Sequence, residues 1–322
     1  MKNCTIQIYT TINGEDYIQE PVVLEGIQWE TSRSGDPAKL TFTIIKDETI
    51  SFPEGAEVNF MYGNQCVFSG IVLEKSRNKD QQIHVTCLDR TFYLKTVENY
   101  TFTGLRADQI IERVAKDVGH KVGELANTGY VLPKYAASDK TLLEVMQEVL
   151  DQTLLATGEL YCLYDDFGYL TLKHIKDMQT DLLITNDTAE DFDYKTTIND
   201  STFNYVVVKD GNGNMAVAKD DNSIKKYGLL QYVVDSQDGG NIQELANAIL
   251  KSRNRVARAF SVNGAFGDIN VRAGSGVYVY LYLGDHTCKQ SMLVNHVTHT
   301  FNNGHHSMEL TLIDGGSYYA TK

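Results

Sequence analysis

Short runs of alternating apolar and polar residues fill the first part of the chain, and this period of two predicts β-strands. The runs are rich in Val, Ile, Thr and aromatic residues: TIQIYTTI, VVLEGIQWE, KLTFTII, AEVNFMY, VFSGIVLE and IHVTCLD. Polar, turn-forming segments such as SRSGDP and SRNKDQ separate them. Short strands at regular spacing are typical of a barrel or a sandwich. We therefore predict a first β-barrel domain over residues 1–97.

The period then changes to that of amphipathic helices. In TGLRADQIIERVAKDVGHK one helical face collects the apolar side chains of Ala107, Ile110, Ile111, Val114 and Val118. Gly119 is suited to end this helix, and Thr141 with Glu144 has capping-box spacing at the start of a second one. The following ELYCLYDDFGYLTLKHI predicts a hairpin. These elements indicate a small α+β domain over residues 98–185.

Strand-like sequence returns from about residue 186. NYVVVKDGNGNMAVAK predicts a hairpin, NIQELANAILKSRNRVARAF predicts a helix over about 241–260, and SGVYVYLYLG begins the last group of strands. We predict a second β-barrel domain over residues 186–322, with this helix inserted in it. The predicted fold class is a β-rich α+β protein, in which two related antiparallel β-barrels flank a small α+β domain.

An internal repeat supports the prediction of two related barrels. Residues 68–89 align without a gap with residues 293–314 as strand, polar turn and strand, and four positions are identical. The preceding strands also correspond, because Gly55 and Gly274 each stand three residues before a valine. This shared context favours duplication of a barrel domain. The alternative is that any two hairpins share such features.

Four of the chain's eight histidines lie in the stretch VNHVTHTFNNGHHSMELTL. Asn303 and Gly304 predict a two-residue hairpin turn. Four pairs of residues are then opposite each other: Asn302–His305, Phe301–His306, His299–Met308 and Thr298–Glu309. Alternation divides the histidines, with His299 and His306 on one face and His296 and His305 on the other. A zinc site needs three or four converging ligands, so His299 and His306 could supply two ligands only. We expect no metal and no cofactor.

Composition narrows the class of protein. The 322 residues carry 29 basic and 42 acidic side chains, a net charge of 29 − 42 = −13, without a polybasic run. A dedicated nucleic-acid binder needs a positive face, so this class is not favoured. No run approaches the ~20 apolar residues that span a bilayer, and the first residues lack the apolar region of a signal peptide. We expect no membrane anchor, synthesis in the cytoplasm, and five scattered cysteines that stay reduced.

The sequence carries no catalytic signature. A nucleophile elbow, a P-loop, an HExxH motif and a dinucleotide-binding fingerprint are all missing. Asp165 and Asp166 are the closest approach to a carboxylate pair, but residues on a hairpin tip do not face each other across a cleft. We expect a protein that is not an enzyme and has no catalytic residues.

The segment VYVYLYL at 277–283 is apolar or aromatic on both faces, because aliphatic residues alternate with Tyr278, Tyr280 and Tyr282. One alternative is a strand buried on both sides of a sandwich. The other is a strand whose tyrosine face packs against another subunit, since tyrosine is favoured at interfaces. The three tyrosines are our candidate subunit interface.

Several segments follow one another in an order that is similar to one known family. Trp29 is followed by FSGIV (68–72), LDRTFYL (88–94) and ADQIIERVAKDVG (107–119). In this order the chain resembles the baseplate hub proteins of contractile phage tails, defective prophages and phage-tail-like bacteriocins. These are relatives of the T4-type hub and of the hub part of type VI secretion spike proteins. The resemblance covers nearly all of the chain.

The resemblance implies a structural role with several partners. In that family three subunits, each with two similar barrels, form a ring of six units that joins a six-fold tail tube to a three-fold spike. The implied partners are two further copies of the chain (a homotrimer), a tail tube protein, a separate trimeric spike protein and other baseplate proteins. The implied location is the baseplate of a phage tail or tail-like particle, assembled in the bacterial cytoplasm. Specific nucleic-acid binding is not implied, although DNA could pass an acidic lumen without sticking to it.

Two other classes of function remain open from the residues. A β-protein that binds carbohydrate or cell wall could stack its tyrosines on sugars. A metal-dependent hydrolase would have to use the histidines. We expect the structural role.

Overall fold

The computed structural model describes residues 4–12, 14–199, 202–236, 241–285, 287–302 and 304–314, and these residues form 21 β-strands and four α-helices. The first strands are β1 (Cys4–Ile12), β2 (Glu15–Gln19), β3 (Ile27–Ser32), β4 (Lys39–Ile45), β5 (Glu57–Tyr62), β6 (Gln65–Arg77), β7 (Gln82–Leu88) and β8 (Val97–Arg106). The middle of the chain forms α1 (Ala107–Asp117), β9 (Val122–Leu125), β10 (Val131–Thr141), α2 (Leu142–Thr157), β11 (Tyr161–Asp166) and β12 (Tyr169–His174).

The remaining elements follow in two groups. The first is β13 (Gln179–Thr185), β14 (Asp191–Thr197), β15 (Tyr205–Asp210), β16 (Met215–Lys219), α3 (Asp221–Tyr227), β17 (Gln231–Ser236) and α4 (Ile242–Arg253). The second is β18 (Ala257–Phe266), β19 (Gly276–Tyr282), β20 (Thr287–Asn302) and β21 (His305–Asp314). No helix in the described ranges is long and apolar enough to cross a membrane.

One sheet of 13 strands connects the two ends of the chain. Its order is β14-β18-β21-β20-β3-β4-β7-β6-β5-β1-β2, with β19 beside β20 and β13 beside β19. We call β1–β7 the N-terminal half-sheet, and β13, β14 and β18–β21 the C-terminal half-sheet. The prediction of a β-rich α+β fold is confirmed. Within the described residues the strands follow an open path without a closed barrel, because β3 pairs with β20 of the other half-sheet.

Alternation along the strands produces a hydrophobic core under each half-sheet. In β4, for example, Leu40, Phe42 and Ile44 are buried, and the residues between them are partly exposed. The core of the N-terminal half-sheet also includes Phe301 from β20. The two half-sheets are therefore joined by packing as well as by the pairing of β3 with β20.

The middle of the chain packs α1 and α2 over a core shared with two small sheets, β8–β10 and β9–β12–β11. The capping box is confirmed: Thr141 Oγ1 accepts from the Glu144 N–H at 3.2 Å, and the Glu144 carboxylate accepts from the Thr141 N–H at 2.7 Å. Gly119 follows α1 with φ of +70°. The predicted helical face is confirmed except for Val118, which is exposed because α1 ends at Asp117.

Residues 205–236 contain a small sheet of their own, in the order β16-β15-β17, rather than part of the large sheet. α4 covers this sheet and buries Ala246 and Ile249 against it. The helix predicted over 241–260 is too long, since α4 ends at Arg253. Residues 257–266 form β18, because their alternating side chains place Phe260 and Val262 in the core of the C-terminal half-sheet.

The two half-sheets repeat one structural unit. The N–H of Gly55 donates to the carbonyl of Val72 at 2.8 Å, and the N–H of Gly274 donates to the carbonyl of Val294 at 2.8 Å. Both glycines have positive φ, +84° and +92°. A β-bulge follows Val72 in the β6–β7 hairpin, and another follows Val294 in the β20–β21 hairpin. The same turn, hydrogen bond and bulge therefore occur at the same place in each half.

The repeat differs from the sequence alignment in one strand. Val72 corresponds to Val294, whereas the gapless alignment set it against Val297 and is wrong for this strand. In the second strand the alignment is right, because Cys87 lies opposite Val72 and Leu312 lies opposite Val294. The β20–β21 hairpin continues further beyond its bulge than the β6–β7 hairpin does, so an alignment without a gap cannot match both strands.

Candidate assembly surfaces

β19 presents a row of tyrosines to solvent. Tyr278, Tyr280 and Tyr282 are 40%, 48% and 59% exposed, whereas Val279 and Leu281 between them are buried. The strand is buried on one face only. The alternative of a strand buried on both sides of a sandwich is therefore wrong for this segment.

The strands on either side extend this row into a contiguous patch. Leu183 of β13 lies opposite Tyr278 and is also exposed. Lys289 of β20 lies opposite Tyr280, with its ammonium group 5.9 Å from the ring centroid. We call Leu183, Tyr278, Tyr280, Tyr282 and Lys289 the tyrosine face. An apolar, aromatic centre with a charge at its rim is typical of a surface that packs on another protein.

The histidine-rich hairpin has the predicted register. All four predicted pairs are present: Asn302–His305, Phe301–His306, His299–Met308 and Thr298–Glu309. Gly304 has φ of +77°, as the predicted turn requires, and Asn303 lies outside the described residues. His299 and His306 are buried on the core face, His305 is exposed and His296 is half-buried on the other face.

The buried pair forms a directed chain of hydrogen bonds. The carbonyl of Val271 can only accept, so His299 Nε2 carries the proton and donates to it at 2.9 Å. His299 Nδ1 is then the acceptor for His306 Nε2, also at 2.9 Å. The His299 ring stacks on Trp29 of β3 with centroids 4.6 Å apart. Burial, followed by the neighbouring His306, lowers the pKa of His299 to about 3.

These contacts decide what the histidines can do. Both ring nitrogens of His299 have protein partners, and no group of three or more His, Cys, Asp or Glu in the described ranges could hold a metal ion. His299 instead lies in the joint between the half-sheets, opposite Trp29 in the β3–β20 ladder. Its geometry is that of a structural side chain.

A second buried polar cluster joins three distant parts of the chain. Asp89 follows β7, Asp165 lies in β11 and Arg272 precedes β19. The carboxylate of Asp89 accepts from the N–H groups of Ala38 and Thr91 at 2.9 and 3.0 Å. The guanidinium of Arg272 stacks on Tyr164 at 3.6 Å and donates to the Asp165 carbonyl at 3.3 Å. We call Asp89, Asp165 and Arg272 the three-way junction.

The junction holds two carboxylates in a nearly closed space. Burial, followed by the charge of Asp89, raises the pKa of Asp165 to about 7. Burial also raises the pKa of Asp89. The two cavities beside these groups each have a volume of about 20 Å³, which is room for one water molecule and not for a substrate. The junction is therefore suited to holding the three parts together.

Sequence reasoning placed Asp165 incorrectly. It was expected on a hairpin tip, but the tip is Phe167–Gly168, and Asp165 is a buried strand residue whose Oδ1 accepts from the Gly168 N–H at 2.7 Å. No local pattern marks Asp89 or Arg272 as its neighbours. Only the packing of three segments brings them together.

Comparison with known proteins gives one family. A family model described as YQBQ-like matches residues 27–313. Phage-like element PBSX protein XkdQ of Bacillus subtilis (strain 168) is 30% identical over 311 residues, which cover 93% of each chain. The protein YqbQ of the same organism is 30% identical over 315 residues, which cover 94% of each chain.

Solved structures share the fold at low identity. The prophage MuSo2 43 kDa tail protein from Shewanella oneidensis has a TM-score of 0.71 at 14% identity, over 97% of this chain and 98% of its own. The E. coli c3393 protein, a component of the type VI secretion system, has a TM-score of 0.58 at 12% identity, over 98% of this chain and 79% of its own. The resemblance to the tail baseplate family is confirmed, and because the family model and two relatives cover nearly all of it, this chain belongs to the YQBQ-like family of phage-element proteins.

Proposed function

We propose that the protein is the trimeric hub at the distal end of a contractile tail tube. Three copies would form a ring of six half-sheet units. This ring would connect a six-fold tube to a three-fold spike that is a separate protein. Family membership and the fold shared with tail proteins support the broader role of the protein as a structural part of a phage-type tail.

The internal repeat is the observation that carries this proposal. A chain with two equivalent units provides six of them in a trimer, so one molecule can present a three-fold and an approximately six-fold arrangement at once. The equivalent hydrogen bonds of Gly55 and Gly274, and the bulges after Val72 and Val294, support that equivalence. The role is mechanical: the hub templates tube assembly, holds the spike and other baseplate proteins, and lets the spike go when the sheath contracts.

The mass of the purified protein in solution tests the proposal. Light scattering over a wide range of concentrations should give a stable particle of three chains. A monomer at every concentration would contradict the trimeric hub. The variant Tyr280→Ser on the tyrosine face, with Tyr169→Ser as its control, can be compared by the same measurement.

The other two classes of function have their own tests. The tyrosine face is continuous with Leu183, which favours protein packing over isolated sugar-stacking rings. Sedimentation with purified peptidoglycan that is abolished in Tyr280→Ser would favour the carbohydrate-binding alternative. A zinc content below about one-tenth of an equivalent in the purified protein would remove the metal hydrolase, which needs a full site.

A further inference from the structure

The three-way junction lies where the middle of the chain meets both half-sheets. Asp89 follows β7 of the N-terminal half-sheet, Asp165 belongs to the β11–β12 hairpin, and Arg272 precedes β19 of the C-terminal half-sheet. All three side chains line both of the small cavities beside the junction. The second cavity is also lined by Phe68 of β6 and by Phe167 at the hairpin tip. The β11–β12 hairpin therefore closes on the N-terminal half-sheet across this polar cluster.

The hydrogen bonds of the two carboxyl groups decide which of them carries a proton. Asp89 accepts from the N–H of Ala38 at 2.9 Å, and from both the N–H, at 3.0 Å, and the hydroxyl of Thr91. In the described part of the chain, Asp165 Oδ1 accepts from the Gly168 N–H at 2.7 Å, and the buried Oδ2 has no partner. Three donors stabilise the ionised form of Asp89, so the proton of this pair belongs to Asp165 Oδ2.

The protonated Oδ2 of Asp165 needs an acceptor, and one water molecule can provide it. Arg272 Nε is a second buried donor without a protein partner among the residues that the structure describes. Each cavity has a volume of about 20 Å³, which is room for one water molecule. A water molecule accepts two hydrogen bonds, so one of them satisfies both donors. The closed junction is therefore suited to the neutral acid, and it has no room for the hydration shell of a second carboxylate.

The charges around the junction do not balance a second carboxylate. The charged and titratable groups that line the two cavities or act on Asp165 are Asp36, Asp89, Arg90, Cys162, Tyr164, Asp166 and Arg272. Within this group Arg90 is paired with Glu57 at 2.6 Å, and burial raises the pKa of Cys162 and of Tyr164, which keeps both neutral. Arg272 is then the one cation of the group that balances buried acid. The pKa of Asp165, raised to about 7, agrees with this balance.

We propose that the three-way junction is a latch, which one proton on Asp165 keeps closed between the β11–β12 hairpin and the N-terminal half-sheet. Loss of the proton puts a second negative charge into the closed space, and the hairpin tip moves away so that water reaches both carboxylates. The middle of the chain stays attached to the C-terminal half-sheet through an apolar cluster of Leu154, Leu160, Ile175 and Leu293. This cluster carries no charge and acts as the pivot. The latch belongs to a single chain and does not depend on the proposed trimer.

Hydrogen exchange of backbone amides measures the opening of the latch. The N–H groups of Ala38, Thr91 and Gly168 donate to the two carboxyl groups, so opening exposes them to water. Asp165 ionises near pH 4 when it is solvated, and near pH 7 in the closed junction. After correction for the intrinsic exchange rate, the opening constant should therefore rise by up to about tenfold per pH unit from about pH 4 to about pH 7. It should stay constant above about pH 7.

Two variants and one distant amide complete the experiment. Asp165→Asn keeps the shape of the side chain but cannot ionise, so the three junction amides should lose the pH dependence. Asp166→Asn, which changes the partly exposed neighbour, should retain the wild-type profile. The amide of Ile110 in α1 lies in a different core and reports unfolding of the whole chain. Faster exchange at the junction alone, abolished in Asp165→Asn, supports the latch.

Three results would overturn the latch. Exchange that is independent of pH at the junction amides would exclude control by a proton. An unchanged pH profile in Asp165→Asn would assign the control to another group. A parallel change at Ile110 would show that the whole chain unfolds and that the hairpin does not move separately. The wild-type profile gives the sign of the effect even where a variant does not fold.

Discussion

His299 is held neutral by its place in the joint between the half-sheets. Its two ring nitrogens are hydrogen-bonded to Val271 and His306 in a site without solvent, and the pKa of His299 is lowered to about 3. The unfolded chain takes up a proton at this residue near pH 6.5, and the folded chain does not. The contribution of His299 is therefore complete above about pH 6.5 and is lost as the pH falls towards about 3.

The first prediction follows from the lowered pKa of His299. Between pH 6.5 and 4 the free energy of unfolding should fall by up to about 1.4 kcal/mol per pH unit from this residue. Urea unfolding at several pH values should show a shallower dependence in His299→Phe, although that variant is less stable at pH 7. His305→Gln, on the exposed face of the same hairpin, should keep the wild-type slope. Equal slopes in all three proteins would contradict the assignment.

The pH dependence of stability that Asp165 contributes has the opposite sign to that of His299, because burial and the charge of Asp89 raise the pKa of Asp165 to about 7. Its favourable contribution is complete below about pH 4, the value for an unfolded Asp, and is lost as the pH rises through about 7. Asp165→Asn should therefore stabilise the protein at pH 8 by on the order of 1–3 kcal/mol, and the gain should shrink as the pH falls and disappear below about pH 4. Asp166→Asn is the matched control on the same strand. A gain of equal size at both pH values would show that charge is not the cause.

At the scale of elements, the two equivalent glycines allow the energetic cost of backbone strain to be measured apart from the cost of close packing. Gly55 and Gly274 both have positive φ, so an alanine at either position should cost about 1 kcal/mol. A Cβ at Gly55 meets nothing within 4 Å, but at Gly274 it would lie 2.6 Å from Cys162 Sγ and 3.1 Å from Met178 Cε. The turn at Gly274 therefore packs closely against the middle of the chain, whereas the turn at Gly55 has free space beside it.

The corresponding prediction compares two alanine variants by chemical denaturation. Gly55→Ala should lose about 1 kcal/mol, and Gly274→Ala about 2–4 kcal/mol because overpacking is added to the backbone term. Cys162→Ala should recover part of the loss in the Gly274→Ala background by removing the closer sulfur atom. Equal losses in the two single variants would mean that the segment holding Cys162 gives way without cost.

At the scale of the whole molecule, the exposed tyrosine face is the candidate contact between subunits. Tyr280→Ser should weaken the trimer by at least about tenfold in its dissociation constant, because a central aromatic residue commonly contributes most to an interface. Tyr169→Ser, with a similarly exposed tyrosine on the β11–β12 hairpin, is the control and should leave the trimer unchanged. Sedimentation analysis over a dilution series measures both. If Tyr280→Ser leaves the trimer intact, the tyrosine face is not the contact between subunits.

Local signals in the sequence predicted the elements that depend on neighbouring residues. The alternation of β19, the register of the β20–β21 hairpin, the capping box of Thr141 and the stop at Gly119 all involve side chains and backbone a few positions apart. The repeat was also visible, although its alignment slipped in one strand because the two hairpins differ in length. The family followed from the order of such segments along the chain.

The sequence by itself determined the kind, the order and the buried face of many of the elements, because periodicity and turn chemistry act over a few residues, although it extended the helix α4 into the strand β18. Only the tertiary structure decided which distant surfaces meet. The junction of Asp89, Asp165 and Arg272, the separate sheet under α4 and the β3–β20 joint all depend on how whole units pack. Burial and proximity change the chemistry of Asp165 and His299, and neither is encoded in the residues beside them.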